Sequence, residues 1–265
     1  MDLHVEMQLD SRDTKKRGAT IAQWFNVSLN SLFLQTAPPG AFWTAGLARE
    51  EGDSLEFFEG LDSIQSDFLG KLVCFPYAAR LVLMYGEQEI GSVSSTHAIK
   101  GGEHSRLTAS LQYGSAALFD PQRCNRLVDV VAQALNQADP AFGRIECDQF
   151  SEYANLDLVL RRKPDEYLPM SRHLLRGYAW TTICPEELVG RLGGVDALRK
   201  TGAFARVVRL ERGVVLQSTD TVAGFSAEVM NAVFEALAPV LPPGMPKRHP
   251  AFPDIRCIPR DASGV

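Results

Sequence analysis

Three strand-like segments follow one another closely, and they constrain the fold more than any other feature of this sequence. They are Arg80 to Tyr85, Ile90 to Thr96 and Leu107 to Tyr113, with Gly86 after the first and Gly101-Gly102 before the last. Strands joined by short glycine-containing turns pair antiparallel, because parallel pairing requires a crossover of a dozen or more residues. The sequence therefore predicts an antiparallel meander in the middle of the N-terminal half.

Helix start signals separate the other strand-like segments. Thr20 is predicted to cap a first helix, and Asp120-Pro121 combines an N-cap with a proline in the first turn. Ser226 is predicted to cap a third long helix. Because strands occur in runs and do not alternate regularly with helices, the predicted fold class is α+β with mostly antiparallel strands.

The order of these elements divides the chain into two sheet-and-helix lobes and a tail. The N-terminal lobe is assigned to residues 1–143 and the C-terminal lobe to residues 144–240. Residues 241–265 contain six of the 15 prolines, and we expect them to lie extended over the surface. Each lobe has a strand, a helical segment, a run of strands and a long capped helix, so a pseudo-repeat is a hypothesis.

The spacing of apolar side chains predicts which residues form the core. Ser54 to Leu72 is predicted to be partly helical with Leu55 and Phe58 facing inward, and Leu156 to Leu160 is predicted to be a strand. The residues expected to be mostly buried are Trp24, Phe25, Leu32, Val82, Leu83, Val128, Val131, Trp180, Val207, Leu216, Val233 and Phe234.

Composition excludes several classes of protein. The chain has 265 residues, of which 45% are hydrophobic and 22% charged, as in ordinary globular proteins. It has no run of roughly 20 apolar residues that would span a membrane, and its first residues lack the pattern of a secretory signal. We therefore expect a cytoplasmic protein. A net charge of −5 argues against general nucleic-acid binding, which requires a basic surface.

The cysteines predict neither a disulfide framework nor a metal site. They are odd in number, scattered, and form no C-x-x-C pair, which favours a reducing compartment and buried thiols. The five positions are Cys74, Cys124, Cys147, Cys184 and Cys257. We expect no structural disulfide and no bound metal.

The strongest anomaly of the sequence is a concentration of acidic residues, which we call the acidic segment (residues 50–67). From Glu50 to Gly70 there are seven acids and no lysine or arginine, so the rest of the chain carries +2 of the total −5. Such a segment is either a solvated surface or a docking surface for a basic partner, with an exposed phenylalanine as an anchor. The predicted partner-binding residues are Glu50, Glu51, Asp53, Glu56, Phe57, Phe58, Glu59, Asp62 and Asp67.

Motifs of catalysis and cofactor binding are missing. The sequence has no Walker loop, G-x-S-x-G elbow, H-E-x-x-H or dinucleotide fingerprint. His97 and His104 with Glu103 are a weak candidate for a metal site across a turn, a solvated hairpin being the ordinary alternative. Cys74 or Cys184 would serve as a nucleophile only beside a histidine. Glu186-Glu187 most simply favours the positive end of a predicted helix, with a catalytic carboxylate pair as the alternative.

The C-terminal part of the chain resembles bacterial type VI secretion immunity proteins, the group around the immunity protein 52 family and related immunity domains. The segments that carry the resemblance are Leu175 to Trp180, Leu188 to Leu198 with its Gly193-Gly194, Leu210 to Ser218, and Phe234 to Pro243. They are mostly packing motifs. The resemblance implies an α+β cytoplasmic inhibitor encoded beside a toxin, often a toxin with a restriction-endonuclease-like nuclease fold, and it implies no catalytic residues.

The function predicted from the sequence is thus binding and neutralisation of a cognate toxin, without enzymatic activity, cofactor, nucleic acid or membrane. The predicted partner is a nuclease-type effector with a basic surface, whose active site the protein would occlude. Two alternatives stay open. One is an enzyme of unrecognised type that uses Cys184 or a carboxylate pair, and the other is a non-catalytic adaptor.

Overall fold

The structure, a computed structural model, describes residues 2–10, 13–98, 104–112, 115–147 and 153–265. Its strands are β1 Asp2–Leu9, β2 Phe42–Ala48, β3 Glu56–Glu59, β4 Ala78–Tyr85, β5 Gln88–Ala98, β6 His104–Gln112, β7 Pro140–Cys147, β8 Thr181–Cys184, β9 Arg206–Arg209 and β10 Val214–Gln217. Its α-helices are α1 Thr14–Ser28, α2 Leu61–Ser63, α3 Leu69–Lys71, α4 Pro121–Leu135, α5 Asn155–Val159, α6 Pro164–Tyr167, α7 Glu186–Arg191, α8 Val195–Lys200 and α9 Ala227–Leu237. These helices and the mostly antiparallel sheet confirm the predicted α+β class.

All ten strands belong to one sheet, in the order β3-β2-β4-β5-β6-β1-β7-β8-β10-β9. Every pairing described between neighbours is antiparallel. The meander predicted from the sequence forms β4, β5 and β6. The first strand of the chain lies inside the sheet, between β6 and β7, so it joins the two ends of the sheet.

One face of the sheet carries the main hydrophobic core. The apolar alternation of β1 places Leu3, Val5 and Met7 on this face, where all three are buried. Helix α1 packs there against β5, β6 and α4, and α4 continues to β10. Two π-helical turns, Leu29–Phe33 and Ile64–Phe68, extend the helical cover of this face.

The opposite face is covered only in part. Over β1 and β7 it is closed by residues 153–176, where Arg176 lies 5.0 Å from the ring centre of Phe142. Over β2, β4 and β5 the same face is open, because Phe42, Arg80 and Thr96 are exposed there. We call this part of the sheet the open face.

The division into two lobes stays a prediction. The predicted boundary after residue 143 falls inside β7, which pairs with β1 on one side and with β8 on the other. The pseudo-repeat is not confirmed, because the strands before β7 form one end of the sheet in the order 3-2-4-5-6-1 and the remaining four follow as 7-8-10-9. The two ends thus differ in both strand number and order.

Local predictions succeed where a cap or an alternation is strong. Asp120 accepts hydrogen bonds from the backbone N–H groups of Gln122 and Arg123, and Ser226 accepts one from Val229, as the capping patterns predict. The prediction for Thr20 is wrong. Helix α1 begins at Thr14, and its cap is Asp13, seven residues before Thr20.

Two further segments differ from the prediction. Leu156 to Leu160 was predicted as a strand, but Asn155–Val159 is helix α5, because a short apolar run has the same pattern in a buried helix and in a buried strand. Ser54 to Leu72 begins with β3 before its helical turns, and Leu55 is 48% exposed, so it does not face inward. Tyr113 and the turn at Gly101-Gly102 lie outside the described residues.

Ten of the twelve predicted core residues are buried. The two exceptions are partly exposed for different reasons. Val82 lies on the open face of β4, and Val207 belongs to the edge strand β9. Periodicity identifies which side chains share a face, but it does not show whether another layer covers that face.

Residues 241–265 contain neither a long helix nor a strand, and they are fixed to the C-terminal part of the protein. The backbone N–H of Lys247 donates to the carbonyl of Val159 at 2.8 Å, and that of Ile258 donates to the hydroxyl of Tyr178 at 2.8 Å. The Arg256 guanidinium donates to the carbonyl of Phe225. These contacts agree with a proline-rich segment that lies along the surface.

Gly18 allows α1 to contact the 3-10 turn Leu72–Cys74 closely. A Cβ atom at Gly18 would lie 2.4 Å from the carbonyl oxygen of Val73, a distance that real Cβ atoms essentially never show. Since the obstacle is backbone, the helix and the turn would have to separate. Close packing of these two elements therefore requires glycine at this position.

We expect Gly18→Ala to lower the free energy of unfolding by about 1–3 kcal/mol, since the clash outweighs the better helix propensity of alanine. The matched control is Gly70→Ala in α3, where a Cβ meets nothing within 4 Å. The control is expected to be neutral or slightly stabilising. Urea unfolding of both variants measures the difference, and equal stability of the two would contradict the packing argument.

Candidate functional site

The acidic segment wraps around one edge of the sheet. Glu50, Glu51 and Asp53 lie in the turn between β2 and β3, and Glu56 to Glu59 form β3, which is the last strand at this end. Asp62 lies in α2, and Asp67 lies in the following π-helical turn. Chain topology therefore brings the turn, the edge strand and the helical segment together at one end of the sheet.

The two phenylalanines of β3 have opposite environments, because successive strand residues point to opposite faces. Phe58 is 6% exposed and packs in the core, where its ring centre lies 5.4 Å from that of Phe68. Phe57 is 72% exposed and lies over Gly46 on the open face. The expectation that one of the pair is exposed is confirmed, and the exposed one is Phe57.

The acids of this segment are exposed, and most of them have no cationic partner within the protein. Glu56 forms an ion pair with Lys71. Within the described part of the chain, none of the other six acids forms an ion pair, namely Glu50, Glu51, Asp53, Glu59, Asp62 and Asp67. Their negative charge is therefore not neutralised locally, and it projects into solvent.

Carboxylates at the centre of the molecule are arranged differently. Arg172 joins Asp10 at the end of β1 to Asp139 before β7, and it also contacts Glu187 in α7. Its distances to Asp139 and Glu187 are both 3.0 Å. Arg172 compensates the carboxylates around it, whereas Glu56 is the one acid of the acidic segment that forms an ion pair among the described residues. The acidic segment therefore carries more uncompensated charge than the carboxylates around Arg172.

A buried network of charged residues lies between strands β1 and β7 and the layer of residues 153–176 that covers them. Arg144 on β7 contacts Glu6 on β1 at 2.9 Å, and Arg176 contacts Asp157 of α5 at 2.8 Å. Arg176 also approaches Glu6 at 3.6 Å, which joins the two pairs. The guanidinium of Arg176 lies 4.2 Å from the ring centre of Tyr167. All four charged groups are buried, so each depends on its partners for compensation.

Glu146 lies at the margin of this network, on the same face of β7 as Arg144. Its carboxylate is 3.0 Å from the guanidinium of Arg144. Burial raises the pKa of Glu146 to about 7, and the neighbouring charge of Glu6 adds to the rise, while Arg144 opposes it. Glu146 therefore titrates near neutral pH. A void of only about 10 Å³ adjoins it, which leaves room for about one water molecule.

Each of the candidate catalytic residues has its own surroundings. Cys184 is buried, its thiol donates weakly to the carbonyl of Pro185, and burial raises the pKa of the thiol. Glu186 accepts hydrogen bonds from Arg209 and from the backbone of Gly213, and the Arg209 contact lowers the pKa of this carboxyl. Because Glu187 is held separately by Arg172, the two carboxylates have different partners. Cys74 is exposed at the end of a 3-10 turn.

The suggested histidine pair does not converge. In the pairing of β5 with β6, His97 is opposite Ser105, while Ala98 is opposite His104. The two imidazoles therefore lie on opposite faces of the sheet. Glu103 lies outside the described residues. Among the residues that are described, no group of three or more histidine, cysteine, aspartate or glutamate side chains is placed to hold a metal ion.

The open face was not predicted, although the sequence contains its pattern. Ser92, Ser94 and Thr96 alternate along β5, and Thr108 and Ser110 continue the same face on β6. Alternation of small hydroxyl residues indicates a strand face without a hydrophobic layer above it. This polar surface lies on the same side of the sheet as Phe57, with β2 and β4 between it and β3.

Comparisons do not connect this arrangement to a known protein. No family model, curated protein or solved structure that was compared matches the chain. In the part of the chain that the structure describes, no helix combines the length and the apolar character needed to cross a membrane.

The pKa of Glu146 predicts a pH-dependent stability difference. Between about pH 4.5 and 7 the folded chain retains a proton that the unfolded chain releases, so the free energy of unfolding falls as pH rises through this window. Glu146→Gln mimics the protonated side chain and removes this term. We expect the stability of the wild type relative to the variant to fall by about 1–3 kcal/mol from pH 4.5 to 7.5. Urea unfolding across this range tests it, and a difference independent of pH would contradict it.

Proposed function

We propose that the protein is a non-catalytic cytoplasmic inhibitor that binds a basic partner protein through the acidic segment. The supporting observation is that the segment carrying the exposed ring of Phe57 at one edge of the sheet has six exposed acids, none of which forms an ion pair among the described residues. The proposed partner is a secreted toxin, a nuclease-type effector with a basic surface. The protein would then be an immunity protein.

Carboxylates without an internal ion pair lose little when they contact a partner. An internal ion pair must be broken or shared before its carboxylate can contact a partner, whereas Glu59 and Asp62 form no ion pair with any described residue and need only lose water and counterions. A concentrated negative surface also steers a cationic partner and accelerates association. Both effects favour a basic partner over a neutral or acidic one.

Phe57 supplies the contact that slows dissociation. Aromatic side chains at the centre of an interface often carry much of the binding free energy, while surrounding charges set specificity and association rate. Phe57 is held by a strand and not by a mobile loop, so little conformational entropy is lost when it is covered. Its position among carboxylates suits an interface with an apolar centre and a charged rim.

The choice of a toxin as partner comes from the resemblance to type VI secretion immunity proteins. Nucleases require a basic surface to hold the phosphates of their substrate. An acidic inhibitor can occupy the same surface and exclude nucleic acid, which explains inhibition without a catalytic residue. The buried state of Cys184 and the separate arginine partners of Glu186 and Glu187 favour this proposal over the enzyme alternative.

Charge reversal tests the electrostatic part of the proposal. The triple variant Glu51→Lys, Glu59→Lys and Asp62→Lys should associate about tenfold or more slowly with the toxin candidate encoded beside this chain's gene. It should also lose most of the dependence of association on salt. Stopped-flow or surface-plasmon measurements at two salt concentrations give both quantities, and growth of cells expressing the toxin gives the biological result.

The matched control reverses three exposed acids in the C-terminal half that also form no ion pair in the described structure: Asp165, Glu211 and Asp220. It changes the net charge by the same amount. If both triple variants slow association equally, only net charge matters, and the acidic segment is not the docking surface. If the acidic-segment variant protects toxin-expressing cells as well as the wild type does, the acidic segment is likewise not the docking surface.

Phe57→Ala tests the anchor. The substitution should leave folding unchanged, because the ring is 72% exposed. It should speed dissociation from the same toxin and weaken the binding free energy by about 1–3 kcal/mol. The control is Phe119→Ala, since Phe119 is a similarly exposed ring (68%) at the start of α4. Equal dissociation rates for the two variants would exclude Phe57 from the interface.

A further inference from the structure

A depression of about 570 Å³ lies on the open face, next to the acidic segment. Its floor consists of small residues on four neighbouring strands, among them Gly46, Ala78, Ser94 and Ser110. Leu55, from the middle of the acidic segment, forms part of its wall. The volume falls within the range of sites that hold small ligands or a few side chains of a partner.

The shape of the depression follows from side-chain size. The neighbours that rise around the floor are long: Leu55 is 48% exposed, Phe57 lies over Gly46, and Arg80 extends to form an ion pair with Glu89 at 2.6 Å. A floor of glycine, alanine and serine between such side chains leaves space that no residue of the described chain fills.

The chemistry of the floor favours an apolar occupant. The hydroxyls of Ser94 and Thr108 are hydrogen-bonded to each other at 2.6 Å, and the charge of Arg80 is compensated by Glu89. A ligand therefore meets methyl and methylene groups, peptide planes and hydroxyls, of which those of Ser94 and Thr108 are bonded to each other. An aromatic side chain buries its faces against such a surface and leaves its polar edge to the hydroxyls.

The charge at the rim decides which molecule carries that side chain. A second copy of this chain is disfavoured, because docking two such faces would bring two acidic segments together. A cationic chain is favoured, since Glu51, Asp53 and Glu59 are exposed beside the wall residue Leu55 and form no ion pair within the described protein. Cationic residues on both sides of an aromatic residue would complement both features.

We infer that the depression receives one large aromatic side chain from a cationic segment of the partner protein, while the lysines or arginines beside it contact the acidic segment. This inference rests on the proposed function for the existence of a basic partner, and it adds the place and the residue type of the central contact. Binding at this surface then requires an aromatic residue as well as positive charge.

Synthetic peptides test the inference without the partner. One peptide has a single tryptophan between two runs of three lysines, and its match has glycine in place of tryptophan. Titration into the full isotope-labelled chain, followed by amide chemical shifts, should show changes at Gly46, Ser94 and Ser110. The tryptophan peptide should bind at least about tenfold more tightly than the glycine peptide, as expected for a central aromatic anchor.

Substitutions in the floor locate the effect. Ser94→Phe fills the depression and should remove the advantage of the tryptophan peptide, while the weaker binding of both peptides through lysine remains. Ser94→Ala, which removes the hydroxyl without filling the space, should retain most of that advantage. Proper folding of both variants is checked from their amide spectra.

Several results would overturn the inference. They are equal affinity of the two peptides for the wild type, no detectable binding at millimolar peptide, or shift changes confined to another surface. A Ser94→Phe variant that still prefers the tryptophan peptide over the glycine peptide would also overturn the inference. None of these results affects the charge-reversal experiment with the toxin, so the proposed function can stand when the aromatic contact fails, and the two failures are distinguished by separate measurements.

Discussion

The buried contacts of Glu6, Arg144, Arg176 and Asp157 are the constraint on which the rest of the structure depends. Charges removed from water are strongly unfavourable unless they are paired, so these four groups must meet in one arrangement. Glu6 belongs to the first strand, Arg144 to β7, and the other two to the layer that closes the face above them. Pairing them joins residues that are as far as 170 positions apart in the chain.

This network also explains the asymmetry between the two ends of the sheet. Residues 153–176 cover β1 and β7, because Arg176 must reach both Glu6 and Asp157, and its stacking on Tyr167 and Phe142 fills the space around it. The cover does not extend over β2, β4 and β5. The strands at that end therefore have one face in the hydrophobic core, while their other face, which includes Val82 and Phe57, is partly open to solvent.

Compensated charges and the proposed docking surface lie in different parts of the sheet. Near β1 and β7, carboxylates have arginine partners, and Leu175 to Trp180, one of the segments that resemble immunity proteins, is entirely buried. Its role in this protein is packing and charge compensation, with Arg176 in the network and Gly177 so close to Asn155 that a Cβ there would lie 2.2 Å from the amide oxygen. In the acidic segment at the edge, Phe58 packs in the core and Glu56 is paired with Lys71, but the other six acids form no ion pair among the described residues.

The sequence by itself determined the features that depend on neighbouring residues. The features visible in neighbouring residues are the caps at Asp120 and Ser226, the strand alternation of β1, and the concentration of acids in residues 50–67. The fold class followed from the helix starts and the runs of strands. Which face of a strand stays open is not local. Val82 and Leu55 have apolar side chains that alone suggest burial, yet no layer covers them fully.

Only the tertiary structure decided that β1 joins the two ends of one sheet, that Phe57 is exposed while Phe58 is buried, and that the acidic segment borders a depression on the open face. The physical reason is that each outcome depends on pairing between distant strands. The strand register fixes the face of the sheet on which every residue lies, and the buried charge network fixes which face is covered. Neither leaves a pattern in the spacing of nearby residues.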